Sequence, residues 1–287
     1  MNEVLADARR FMLTHARLLE RRLFQVRFEG ADPSCVGLVV RAYQNPDGGL
    51  GHALEPDIRC AESQPLFVAM GLAALAEASH RDPELATAVC GYLESVSSDD
   101  GLVPFFTEVA YQSPLARHWQ GAPMVPSVNP TADICGLLHY QGVHHSWLSR
   151  ATETCIKVIM EDPPLEAHYL LAAGHLAEHM PDRQMAQNLI DVIAAALPKA
   201  EFYIPDAPVK VYGLTPLHFA PRSDSILRAI FTQDQIDRHL EDLLSRQQED
   251  GGWPIHWEAP GPASQLEWRG RCTLDAVSAL SAYGVIG

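Results

Sequence analysis

Residues 38–56, LVVRAYQNPDGGLGHALEP, and residues 243–260, LLSRQQEDGGWPIHWEAP, follow one grammar, and that grammar decides the fold. In each, an apolar segment ends in Gln, two residues intervene, and Asp-Gly-Gly follows. Gln44, Asp47, Gly48 and Gly49 stand against Gln247, Asp250, Gly251 and Gly252. A weaker third copy is LESVSSDDGLVPF (residues 93–105), with Asp100-Gly101. Paired glycines supply the positive φ that ends a helix in a left-handed cap. The preceding Asp bonds backbone N–H groups of the turn, and Gln reaches from the last helical turn to neighbouring backbone. Repetition on the scale of a helical hairpin implies stacked units, none of which buries its apolar face alone. The turns are therefore expected to be structural.

Working outward, an apolar period of 3.6 runs through nearly the whole chain. It predicts helices over Leu5–Phe24, Pro33–Tyr43, Gln64–Ala78, Pro83–Val96, Pro130–His139, Trp147–Met160, Pro164–His179, Asp182–Leu197, Gln233–Gln247 and Thr273–Tyr283. Asp32 and Asp82 are candidate N-caps, each followed by Pro at the first helical position. Alternating strand–helix signals are missing, which disfavours a doubly wound sheet or a β/α barrel. Glu201–Asp224 reads as the least helical stretch, with four prolines and some extended character in VKVYGL. The expected fold is all-α, as one domain over residues 1–287.

The Q-x-x-D-G-G-[LW] element resembles the QW-type repeat of triterpene (squalene) cyclases and the matching turns of protein prenyltransferase β subunits. EWRGRCTLDAVSALSAYG (residues 267–284) is similar to the inner helix after such a turn. The sequence also looks like bacterial proteins loosely labelled prenyltransferase-like. This resemblance implies an α/α toroid, a ring of helical hairpins around a central cavity, and terpenoid cyclase or prenyltransferase chemistry on a hydrophobic or polycyclic molecule. The strong copies cover roughly the first and last fifths of the chain.

Charge narrows the partners. The formal net charge is −15, from 36 Asp and Glu against 21 Lys and Arg, and no basic run exceeds two residues. Nucleic acid and anionic membrane surfaces are poor partners for such a chain. The N-terminal stretch is amphipathic and lacks the apolar core of a signal peptide, and no stretch reaches the ~18 apolar residues of a membrane span. Six scattered cysteines without a CxxC pair read as reduced thiols, so the expected location is cytoplasmic.

Candidate chemistry gathers after the two strong turns. His52, Glu55, Asp57 and Arg59 follow the first; His256, Trp257, Glu267 and Arg269 follow the second. Carboxylates beside imidazole and guanidinium groups make an acid–base set or a structural ion-pair network. The expected catalytic residues are Asp57, Glu55, His52, Arg59, Glu267 and His256. Trp253, Trp257 and Arg269, with His118 and Trp119 of a Pro-flanked loop, are the expected substrate contacts. In a closed toroid the two clusters would meet at one rim.

Signatures of the resembled families are partly missing: no D-x-D-D acid motif and no D-D-x-x-D magnesium motif occurs. Asp133-Ile134-Cys135, with Cys272, has the form of a prenyltransferase zinc set. Residues i and i+2 point to different helix faces, however, so buried structural cysteines are expected and neither metal nor cofactor is assigned. No G-x-S-x-G and no P-loop occurs. The expected activity is an enzyme on a small apolar or polycyclic molecule. A non-catalytic apolar-ligand binder and a carbohydrate-active toroid are the alternatives. Paired carboxylates with Trp and His would favour sugars, and a dry aromatic wall terpenoids.

Overall fold

The computed structural model describes residues 3–121 and 124–287, and among these it is all-helical, about 60% helix with no strands. In chain order the helices are α1 (Glu3–His15), α2 (Leu18–Glu29), α3 (Ser34–Arg41), α4 (Pro65–Glu77), α5 (Pro83–Val96), α6 (Val128–Gln141), α7 (Ser146–Glu161), α8 (Ala167–His179), α9 (Arg183–Ala196), α10 (Pro216–Phe219), α11 (Gln233–Ser245) and α12 (Pro262–Ala282). The expected caps form: Asp32 Oδ1 accepts from Ser34 N at 2.8 Å, and Asp82 Oδ1 from Leu85 N at 3.1 Å.

Two helix expectations change. Leu5–Phe24 is two helices, broken at Arg17, whose backbone is extended. No Pro or Gly marks that break; it falls where Ala16 packs against Gly270 of α12 and where Arg17 pairs with the buried Glu20. The last helix begins at Pro262 rather than Thr273, so the polar residues 262–272 are helical. Residues 201–224 hold one short helix, α10, and pair through the isolated bridges Glu166–Glu201 and Tyr203–Leu214.

The chain divides into two compact units, Met1–Cys35 with Phe202–Gly287, and Val36–Glu201. In the unit built from both chain ends, α12 packs against α1, α2 and α11, and α10 packs on α11. In the central unit, α6 lies between α4 and α8, forming one layer. Helices α5, α7 and α9 form a second layer behind it: α5 and α7 touch α6, and α9 touches α8. Apolar sequence explains the order. PLFVAMGLAALAE of α4 is buried at Phe67, Val68, Leu72 and Leu75 and needs neighbours on several sides.

The three turns are one structure built three times. The N–H of Asn45, Ser98 and Gln248 donates to the carbonyl four residues on, at 3.0, 2.9 and 2.9 Å. The N–H of Gly48, Gly101 and Gly251 returns to Asn45, Ser98 and Gln248, at 3.0, 2.9 and 2.8 Å. Asp47, Asp100 and Asp250 accept from the N–H two residues later. Gln44 and Gln247 donate to Gly48 O and Gly251 O; the third copy has Ser97 there instead. The left-handed residue is the first glycine (φ +87°, +90° and +90°). Gly49 and Gly252 are not left-handed, contrary to expectation. They are glycines for lack of room: a Cβ would lie 2.6 Å from Ser63 and 2.7 Å from Phe11, respectively.

Candidate functional site

Because α6 is covered by α4, α8, α5 and α7, few of its side chains remain open, and the partly open ones include Asn129, Asp133 and Tyr140. Asp133 and Tyr140 recur at helical spacing and both meet α8, at His175 and His179, whereas Asn129 precedes the regular turns with extended backbone. Helix α8 shows His168, Leu171 and His175 in the same way, and α4 shows Leu66, Met70 and Ala73. The open face is thus apolar over α4 and polar over α6 and α8.

Its centre is a carboxylate–imidazole pair: His175 Nδ1 lies 2.8 Å from Asp133 Oδ1. Gly136, one turn below Asp133, brings the two helices together, since a Cβ there would fall 2.4 Å from the His175 carbonyl oxygen. The pair is partly open, with side-chain exposures of 40% for His175 and 23% for Asp133. Burial disfavours the charged ring, but Asp133 and then Glu178 outweigh it, and the His175 pKa is raised above the ordinary imidazole value. The ring's Nε2 makes no hydrogen bond to a described residue and is not sealed from solvent. Further along the same face, Tyr140 packs against His179, and Arg81 stacks over the Tyr140 ring at 5.2 Å.

The first sequence-derived cluster lies in the same unit, in the loop before α4. His52 and Ala53 are both left-handed (φ 59° and 55°), a costly arrangement for residues with a Cβ. The bend turns Glu55 and Asp57 inward, leaving them 4% and 2% exposed, and Asp57 N donates to Glu55 Oε2 at 2.9 Å. The Pro-flanked loop docks on this bend: Arg59 N donates to Pro114 O and Ala116 N to Asp57 O. Its residues 122 and 123 lie outside the described residues. His118 Nε2 thereby comes to 3.8 Å from Asp57 Oδ2. Burial lowers the His118 pKa, with Asp57 opposing. Trp119 packs on Phe105, Phe106 and His118, and its indole N–H is buried without an acceptor among the described residues. Glu55, Asp57, His118 and Trp119 therefore converge, while His52 stays exposed and Arg59 half-buried.

The second cluster belongs to the other unit. Trp253 is 2% exposed, its backbone N–H on Thr273 Oγ1 and its indole N–H on Leu243 O. Arg269 holds both oxygens of Asp250 at 2.7 Å, donates to Gln248 and Trp253 O, and stacks over Phe11. Both side chains are thus engaged in the turn. Trp257 makes an edge-on contact with Trp268 and another with Tyr212. His256 is exposed and Glu267 half-buried.

Of the zinc-like set, Asp133 is the partner of His175, while Cys135 is fully buried. A hydrogen bond with Cys135, and burial, raise the pKa of Cys155. Cys272 sits on α12 in the other unit, its pKa pushed up to about 12 by burial. Among the described residues no group of three or more His, Cys, Asp or Glu side chains is placed to hold a metal ion. A surface pocket of about 500 Å³ carries His139, His144 and His145, but His139 bonds Thr152 and His145 caps α7. Neither Asp133 nor His175 lines it.

His175 itself was missed from sequence. Its signal was an imidazole in the otherwise apolar run YLLAAGHLA, which is more often a satisfied core histidine. Fold and site together describe, over the described residues, an all-helical protein with a partly open carboxylate–imidazole pair between two of its helices. Compared with known protein families and with curated proteins, the chain matches none.

Proposed function

We propose that the chain is an α/α toroid whose inner helices include α4, α6 and α8, and that it is an enzyme performing acid–base chemistry on a small molecule held against their open face. The repeated turns support the toroid. Each sets its first glycine on the backbone of a later or earlier outer helix: Gly48 on Ala88 of α5, Gly101 on Ala151 of α7, and Gly251 on Asp7 of α1. Paired in order, the twelve helices of the described residues give six hairpins, the fifth reduced to the short α10 on its inner side.

The observation that carries the activity is the Asp133–His175 pair with Nε2 open. The ring's Nδ1–H donates a hydrogen bond to Asp133, which fixes the tautomer and leaves a lone pair on Nε2 to take a proton from the ligand. The carboxylate then steadies the imidazolium that forms. Leu66, Met70 and Leu171 give the apolar part of a ligand a surface. The hydrophobic small molecule implied by the resemblance fits that part, and a protonatable group fits the pair. Without D-x-D-D or D-D-x-x-D, alkene protonation and diphosphate ionisation have no residues behind them here.

The six unpaired cysteines support a reducing compartment, the cytoplasm. No described helix is long and apolar enough to cross a membrane. To test the activity, wild type, Asp133→Asn and His175→Gln are incubated with a small-molecule extract, and consumed species are followed by mass spectrometry. Consumption lost in both variants at unchanged melting temperature supports acid–base catalysis; consumption retained in His175→Gln refutes it.

A further inference from the structure

Helices α4, α6 and α8 contain no Lys or Arg in their PLFVAMGLAALAE, VNPTADICGLLHYQ and AHYLLAAGHLAEH sequences. Carboxylates are present on each: Glu77, Asp133 and Glu178. The other titratable groups described at the open face are the imidazoles His168, His175 and His179, the phenols Tyr140 and Tyr169, and the Arg81 guanidinium, which comes from the loop after α4 and is engaged on the Tyr140 ring. Where a cation does approach, it uses an aromatic face, as Arg81 does on Tyr140.

From this composition we infer that the ligand of the open face is a cation with an apolar body, an amine-bearing small molecule, and not a phosphate, diphosphate or carboxylate. The inference rests on the site proposed above and names its substrate class. A diphosphate would bring negative charge to a wall whose own helices offer no ammonium or guanidinium group and whose described residues gather no metal-holding set. An ammonium group finds Asp133 and Glu178 beside the ring that is to take its proton, while its hydrocarbon lies over Leu66, Met70 and Leu171. Cation binding opposes protonation of His175 and so favours the form that acts as a base.

The probes are 2-phenylethylammonium, 2-phenylethanol, phenylacetate and inorganic pyrophosphate, titrated calorimetrically into the full chain at low and moderate salt. The ammonium is expected to bind at least about tenfold more tightly than the alcohol, a gap that narrows with salt. The two anions are expected not to bind. Glu178→Gln should weaken the ammonium and leave the alcohol unchanged; Asp191→Asn on α9, away from the face, should change neither. Equal affinity for ammonium and alcohol, tighter binding of either anion, or no binding of any probe overturns the inference. Equal affinity leaves the acid–base reading standing. Turnover surviving in His175→Gln sinks that reading instead and leaves the charge preference intact.

Discussion

Gly136 of α6 lies beneath the backbone of His175 on α8, so close that a Cβ at residue 136 would sit 2.4 Å from the His175 carbonyl oxygen. The missing side chain sets the distance between the helices, and that distance sets the Asp133–His175 hydrogen bond. Gly136→Ala should therefore cost about 1–3 kcal/mol, because backbone on the facing helix cannot step aside cheaply. Gly91 on α5 has nothing within 4 Å and is the control: Gly91→Ala should stabilise by about 0.5–1 kcal/mol. Chemical denaturation of the two variants checks both signs.

At the turns, Gly48→Ala and Gly251→Ala combine a left-handed φ with backbone contacts of 2.7 and 2.2 Å. Each should lose about 2 kcal/mol or more. Gly49→Ala is also expected to destabilise, through crowding against Ser63 and Tyr92. Melting temperatures unchanged in Gly48→Ala would mean that the first glycine is not left-handed.

Asp250 is held by Arg269, and that pairing lowers its pKa below the usual carboxylate value. A depressed pKa gives stability that is present above the unfolded value and lost as pH falls through the folded one. Arg269→Met should thus destabilise near neutral pH, with the difference from wild type shrinking as pH drops below about 4. A difference that is constant from pH 7 to 3 would assign the loss to packing on Phe11 instead.

Much of the fold is legible in the sequence because its signals are local. The apolar period places most of the helices, and Q-x-x-D-G-G marks turns whose hydrogen bonds recur atom for atom. The break at Arg17 is not legible, since it is made by Ala16 meeting Gly270 across the chain rather than by a local breaker. The site divides the same way. Glu55, Asp57, His118 and Trp119 stand out by residue type, and they do come together. Asp133 and His175 are 42 residues apart and become a pair only through the Gly136 contact. Arg269 looks like a ligand-binding cation in sequence, yet its partners belong to the turn.

In the bend before α4, Asp57 is buried and tied to the facing loop, whereas His118 is half-exposed. Asp57→Ala should destabilise, because the buried carboxylate, 2% exposed, fills space inside the bend that Ala would leave empty. His118→Ala should leave the unfolding free energy within about 0.5 kcal/mol of wild type, as most exposed substitutions do. Limited proteolysis of the 113–121 segment reports the difference: early cleavage is expected in Asp57→Ala and wild-type behaviour in His118→Ala.

The most direct test of the central claim is an ¹⁵N-edited NMR titration of the His175 ring in wild type and in Asp133→Asn. The account predicts an Nδ1–H tautomer in the neutral form and a pKa above the ordinary value of about 6.5, falling when Asp133 loses its charge. Because the folded pKa is raised, the stability from this pair is full below about pH 6.5 and is lost as pH rises through the folded pKa. Activity resting on neutral Nε2 rises over that same interval. An Nε2–H tautomer, or a pKa at or below the ordinary value and unmoved by Asp133→Asn, would contradict the account.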